Sequence, residues 1–149
     1  ELIRTALRMR PNRIIVGEVR GAEAIDMLQA LNTGHDGSLS TGHANSPKDM
    51  LSRLESMVLM GMDLPLGAVQ RQIASGIDII VHLGRLRDKS RKVLEVSEIL
   101  DYQDGEILVS PLYRFEETGE KDGKIQGTWR KMDDLVHTQK LLAAGYKEV

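Results

Sequence analysis

Three apolar residues, Ile14, Ile15 and Val16, stop at Gly17, and Glu18 and Arg20 follow at once. A short apolar run without alternation is the pattern of a strand covered on both faces in a parallel sheet. Such a strand needs helices to cover it, so this run points to an α/β fold. The neighbouring segments supply the helices. Residues 2 to about 10 place Leu2, Ile3, Ala6 and Leu7 on one helical face, with Arg4 and Arg8 one turn apart, and Pro11 ends that helix. Gly21 precedes a helix with Ala24, Ile25, Leu28 and Leu31 facing inward, stopped by Gly34. "GSLSTGHANS" reads as a strand of small residues at roughly 38 to 42, running into a polar turn.

A sharp helix start comes next. Ser46 is an N-cap, Pro47 takes the first helical position and Asp49 reaches back as in a capping box. The core face is Leu51, Leu54 and Val58, with Met50 and Met57 beside it, and Gly61 closes the helix. The methionine-rich stretch Met50, Met57, Met60 and Met62 reads as core filler. Another helix opens at Pro65 with Leu66, Val69 and Ile73 inward, and "IDIIVHL", Ile77 to Leu83, is the next buried strand. His35 and His82 read as structural.

The style shifts near Arg85 to Arg91. "RKVLEVSEIL" alternates, as an antiparallel strand with one wet face does. Asp104-Gly105 is a turn signal and "EILVSPLYRF" the partner strand. "EETGEKDGKIQG" reads as a polar loop, and residues 132 to 144 as a final helix started by Asp133 and Asp134 and stopped by Gly145. The expectation is one partial domain over 1–149: an α/β part over 1–84, then an antiparallel hairpin and tail over 85–149.

Composition narrows the function. The net charge of −2 does not favour general polyanion binding, and one Phe, one Trp and three Tyr are too few for a base-stacking platform. With no cysteine, disulfides, thiolate metal sites and cysteine nucleophiles are excluded. No run is long enough to span a membrane, so direct insertion is not expected.

Ligands of open α/β sheets bind at the carboxyl ends of the strands. Glu18 lies at that end of the first strand and His43 just past the second. A glutamate there can orient a water for attack on a phosphoryl group, or hold Mg²⁺ through the ion's waters. A histidine there can donate a hydrogen bond to a terminal phosphate oxygen. The loop that grips the phosphate should read G-x-x-x-x-G-K-[ST]. The nearest match, "GSLSTGHA" from Gly37 to Ala44, has His43 and Ala44 in place of the lysine and the hydroxyl residue. The residues alone therefore make half of a nucleotide site.

"LIRTALRMRPNRIIVGEVRGAEAIDMLQALNTGHDGSLSTGHANSP" resembles the secretion ATPases of the type II/IV superfamily, and most of all the branch that powers Flp (Tad) pilus assembly. The resemblance continues through "RLESMVLMGMDLP", "QIASGIDIIVHLGRLRDKSRKV" and "YRFEETG". It implies the C-terminal part of a RecA-like P-loop NTPase core, working as a ring, expected to be a hexamer. "RIIVGEVRG" matches the Walker B block, with Glu18 as the catalytic glutamate and Gly17 where many P-loop ATPases carry a Mg²⁺-binding Asp. "TGHDGSLSTGHANS" matches the histidine box, with His43 as its named residue; Gly42 stands where the family often has an apolar residue, a departure expected to loosen the turn. The Walker A loop, acidic box and N-terminal domain would lie before Glu1, so this stretch alone is expected not to turn over ATP. Their P-loop strand would sit between the histidine-box strand and "IDIIVHL", leaving two strand edges open.

On this resemblance ATP and Mg²⁺ are the cofactors, Glu18 touches the metal through water, and Arg8 and Arg20 are the arginines nearest the motif for phosphate contact. The implied location is cytoplasmic, peripheral to the inner membrane, with an inner-membrane platform protein of the pilus or secretion machine as partner and no nucleic acid. Two alternatives stand beside this: a non-catalytic structural subunit of the same assembly, and a nucleic-acid-transfer motor of the same superfamily.

Overall fold

The computed structural model describes residues 2–147. They form two compact units. One comprises the chain up to Asp78 together with Asp101–Leu108; the other comprises Ile79–Leu100 and the chain from Val109 onward.

The first unit holds α1 (Leu2–Arg8), β1 (Ile15–Val16), α2 (Ala24–Leu31), β2 (Leu39–Ser40), α3 (Pro47–Gly61) and α4 (Leu66–Gly76). Its core lies where α2, α3 and α4 meet. Ala24, Leu28, Val58, Val69 and Ile73 are fully buried there, with Leu51, Leu54 and Met57 almost so. Ser46 starts α3 by accepting the Asp49 N–H at 3.1 Å. At the other end Gly61 comes so close to Ala22 that a Cβ would stand 3.0 Å from that carbonyl. Of the methionines, Met57 fills the core as expected, but Met60 and Met62 are exposed, at the solvent-facing end of α3.

β1 and β2 are parallel, Ile15 opposite Leu39 and Val16 opposite Ser40. The expected cover on both faces is not found: Ile14 is buried, whereas Ile15 is 71% and Leu39 61% exposed.

The second unit is built on a four-stranded antiparallel sheet in the order β3 (Ile79–Arg85), β4 (Arg91–Gln103), β5 (Glu106–Lys121), β6 (Lys124–Lys131), followed by α5 (Gln139–Ala143); the residues of β4 and β5 within Asp101–Leu108 belong to the first unit. Four sequence expectations change here. "IDIIVHL" is not a buried parallel strand. It pairs antiparallel with β4 along one edge, with Ile79, Val81 and Leu83 exposed on alternate positions. β4 has no continuous wet face, because Ser97, Glu98 and Ile99 are buried in succession. The polar stretch 116–127 is not a loop but the end of β5, a second Asp-Gly turn at Asp122 (φ 52) and Gly123 (φ 69), and the start of β6. A left-handed pair of this kind suits the twist of a two-residue hairpin. Ion pairs of Arg87 with Glu117 and of Arg130 with Glu116, the buried Ile125, and the Phe115 ring filling the space beside Gly127 support these polar strands.

The tail helix is likewise short, Gln139–Ala143 and not 132–144. Asp133 accepts from the Ser110 hydroxyl at 3.1 Å, Asp134 pairs with Lys131, and the Val136 and His137 amides donate to Glu98 at 2.8 and 2.7 Å. Amides committed to a buried carboxylate cannot continue a helix.

Candidate nucleotide-hydrolysis site

Glu18 and His43 come together because β1 and β2 are parallel and the chain past each strand stays zipped. Val19 N–H donates to Thr41 O at 3.0 Å, and the Thr41 hydroxyl donates to Gly17 O at 2.6 Å. Thr41 thus holds the histidine-bearing segment against the glutamate-bearing one. Gly42 does not loosen this turn. A Cβ there would stand 2.6 Å from Met50 Cε, so the thioether of α3 fills the space a side chain would take.

The Glu18 carboxyl lies between the Arg20 guanidinium and the His43 imidazole. Arg20 Nη2 is 2.6 Å from Oε2, and His43 Nε2 is 2.8 Å from Oε1. The Arg20 side chain is 78% and that of His43 81% exposed, against 23% for Glu18. The Arg20 contact holds the Glu18 carboxyl below its ordinary pKa; partial burial opposes this, and the charges of Arg20 and His43 add to it. The guanidinium is held above its own ordinary value in return. The imidazole lies at contact distance from Oε1 without forming a well-aligned hydrogen bond. Oε1 is therefore, among the described residues, a buried side-chain oxygen with no hydrogen-bond partner. An orphaned acceptor of this kind is costly unless something donates to it.

Glu23 was not singled out from sequence. Its Oε1 accepts from the Arg20 N–H at 2.7 Å and the Gly21 N–H at 3.1 Å, and these bonds hold its own carboxyl below the usual range. The available signal was an acid at a helix start, where backbone amides lack partners. Arg8 is placed elsewhere: with Arg4, Thr5 and Asp26 it lines a groove of about 540 Å³, in which Arg4 pairs with the buried Asp26 at 2.8 Å.

The Glu18 carboxylate is an acceptor of the kind that suits a metal-bound water, with Oε2 on Arg20 and Oε1 beside the His43 imidazole.

The mixed α/β chain thus brings a strand-end glutamate and a strand-end histidine face to face. The profile of the type II/IV secretion system proteins matches residues 1–133, and the chain belongs to that family. A Mycobacterium tuberculosis relative is 43% identical over 107 residues, 72% of this chain and 30% of its own. The conjugal transfer protein TrbB of Rhizobium radiobacter is 39% identical over 69% of this chain and 31% of its own, and the type IV secretion protein PtlH of Bordetella pertussis 40% identical over 70% and 31%. The fold matches the crystal structure of the VirB11 ATPase of the Brucella suis type IV secretion system in complex with sulphate. The TM-score is 0.61 and the identity 35%, covering 65% of this chain and 32% of that one. The chain thus spans about 30% of the length of the relatives it matches. No helix among the described residues is long and apolar enough to cross a membrane.

Proposed function

We propose that this chain is the C-terminal part of the ATP-hydrolysing domain of a ring motor, expected to be hexameric, that powers protein secretion or assembly of a Flp-type pilus. The observation that carries the reading is the Glu18 carboxyl at the end of β1, with Arg20 on one oxygen and His43 beside the other. The family match and the VirB11 likeness support it. The 149 residues contain no G-x-x-x-x-G-K-[ST], and the relatives are more than twice as long, so the phosphate-gripping loop is assigned to polypeptide outside this stretch.

In this reading water attacks the terminal phosphorus of ATP in line, releasing ADP and phosphate. Glu18 receives that water on Oε1. A carboxyl held below its ordinary pKa is a poor proton acceptor at neutral pH, so the pair with Arg20 favours orienting water over removing its proton. Basicity returns if Arg20 leaves Oε2 for a phosphate oxygen. His43, on an exposed turn, moves toward the γ-phosphate, and the same movement uncovers Oε1. Mg²⁺, when bound, supplies charge neutralisation of the phosphates, with Glu18 touching its water. The motor acts at the cytoplasmic face of the inner membrane on a platform protein, peripherally and without inserting.

The test is ATP turnover by this chain and by the protein extended to the length of its relatives. Turnover only in the extended protein supports the proposal, and turnover by this chain alone ends the half-site reading. A second reading, a nucleic-acid-transfer motor, is favoured by the conjugal-transfer name of TrbB. Stimulation of the ATPase rate by single-stranded DNA would select it.

A further inference from the structure

Arg20 is the group that holds Glu18, yet its side chain is largely in solvent and has no packing of its own to fix it. What fixes it is the backbone beneath. The Glu23 carboxylate accepts from both amides of the Arg20–Gly21 turn, at 2.7 and 3.1 Å. Glu23 itself is anchored. It already has helical backbone angles, and α2 follows it directly with Ala24 and Ile25 in the core. Ala24 N–H returns to Gly21 O at 3.0 Å and Met27 N–H to Glu23 O at 3.1 Å. The end of α3 closes the other side, Gly61 abutting Ala22. One carboxylate therefore ties an exposed arginine to the buried core.

We propose that Glu23 is a positioning residue: by binding the two amides of the Arg20–Gly21 turn, it fixes the guanidinium that pairs with Glu18 Oε2 and so the direction of that carboxyl. Its importance for turnover rests on the reading of Glu18 given above; the coupling itself does not, and is measured without ATP. The charged and titratable groups facing Glu18 are Arg20 and His43, and the imidazole is present in every variant compared.

The experiment is an NMR titration of the Glu18 side-chain carboxyl in this chain as it stands and in Arg20→Ala, Glu23→Ala and Glu23→Gln, with exchange of the Arg20 and Gly21 amides followed in parallel. Arg20→Ala is expected to raise the Glu18 titration midpoint. Glu23→Ala is expected to move it in the same direction and to speed exchange of both amides. Glu23→Gln keeps an uncharged acceptor and is expected to fall between wild type and Glu23→Ala. A Glu18 midpoint unchanged in Glu23→Ala while Arg20→Ala raises it overturns the proposal. A midpoint unchanged in Arg20→Ala overturns it too. If Glu23→Ala loses the dispersed amide signals of α2, Glu23→Gln decides: faster Arg20 and Gly21 exchange with a raised Glu18 midpoint supports the coupling, and wild-type behaviour in both refutes it. A failure of ATP turnover in the extended protein would leave these readouts unaffected, so the two ideas fail separately.

Discussion

Glu98 gives the sharpest stability prediction. This carboxylate sits in the middle of β4, 1% exposed, and accepts the Val136 and His137 amides at 2.8 and 2.7 Å, with His137 Nδ1 3.2 Å away. Glu98→Ala removes all three contacts. A hydrogen bond to a charged group contributes about 1.5–3 kcal/mol net, so the two amide bonds set an upper bound of about 3–6 kcal/mol. Val136 is 55% exposed, so the freed amides rehydrate and recover part of this. We expect a net loss of about 2–4 kcal/mol, the range of a broken buried network. Glu98→Gln should fall between, since it keeps one acceptor oxygen but turns an NH₂ toward a donor. Urea unfolding read by the single tryptophan measures the effect in the right unit, because Trp129 in β6 donates its indole N–H to Val93 O at 2.8 Å. At an m-value of about 1–3 kcal/mol/M the midpoint should fall by roughly 1–2 M. A Glu98→Ala midpoint within about 0.3 M of wild type, at unchanged m, would refute the idea that this carboxylate holds the tail.

Three further outcomes are expected. Ser46→Ala should cost about 0.5–2 kcal/mol in thermal or chemical unfolding, through loss of the cap on the Asp49 amide, with Ser46→Asn close to wild type. Asp88, held down at about 2 by the Ser90 hydroxyl and the Ile125 and Ser90 amides, stabilises the fold fully above its ordinary value of 3.8, and that contribution fades as pH falls toward 2. The unfolding midpoints of wild type and Asp88→Asn should therefore differ at pH 5 and converge near pH 2. Gly42→Leu should displace the Met50 thioether and disturb the His43 turn, read as shifted His43 imidazole resonances with α4 resonances unmoved.

Local signals in the sequence were strong where one residue does one job. The Ser46-Pro47 helix start, the inward face of α2, the stop at Gly34 (φ 84) and the Asp104-Gly105 turn all stand as read. The meeting of Glu18 and His43 was legible because two parallel strands place their ends side by side. Apolar runs were misleading where burial depends on neighbours. Nothing within "IDIIVHL" distinguishes a central parallel strand from an edge strand with an open face. The stretch 116–127 looked like a loop because cross-strand ion pairs stabilise it where apolar alternation usually does. The tail helix failed on a contact to β4, about forty residues away, which no local pattern encodes. Glu23 and Thr41 escaped notice because their task is to bind backbone, and polar side chains at turns commonly do that anyway.

The central claim is that the Glu18 carboxylate places the attacking water. Its most direct test is kcat for ATP in the extended protein with Glu18→Gln, measured beside ATP affinity. The expected result is a fall of roughly 10²-fold or more in kcat with affinity little changed. Wild-type turnover in that variant would contradict the account.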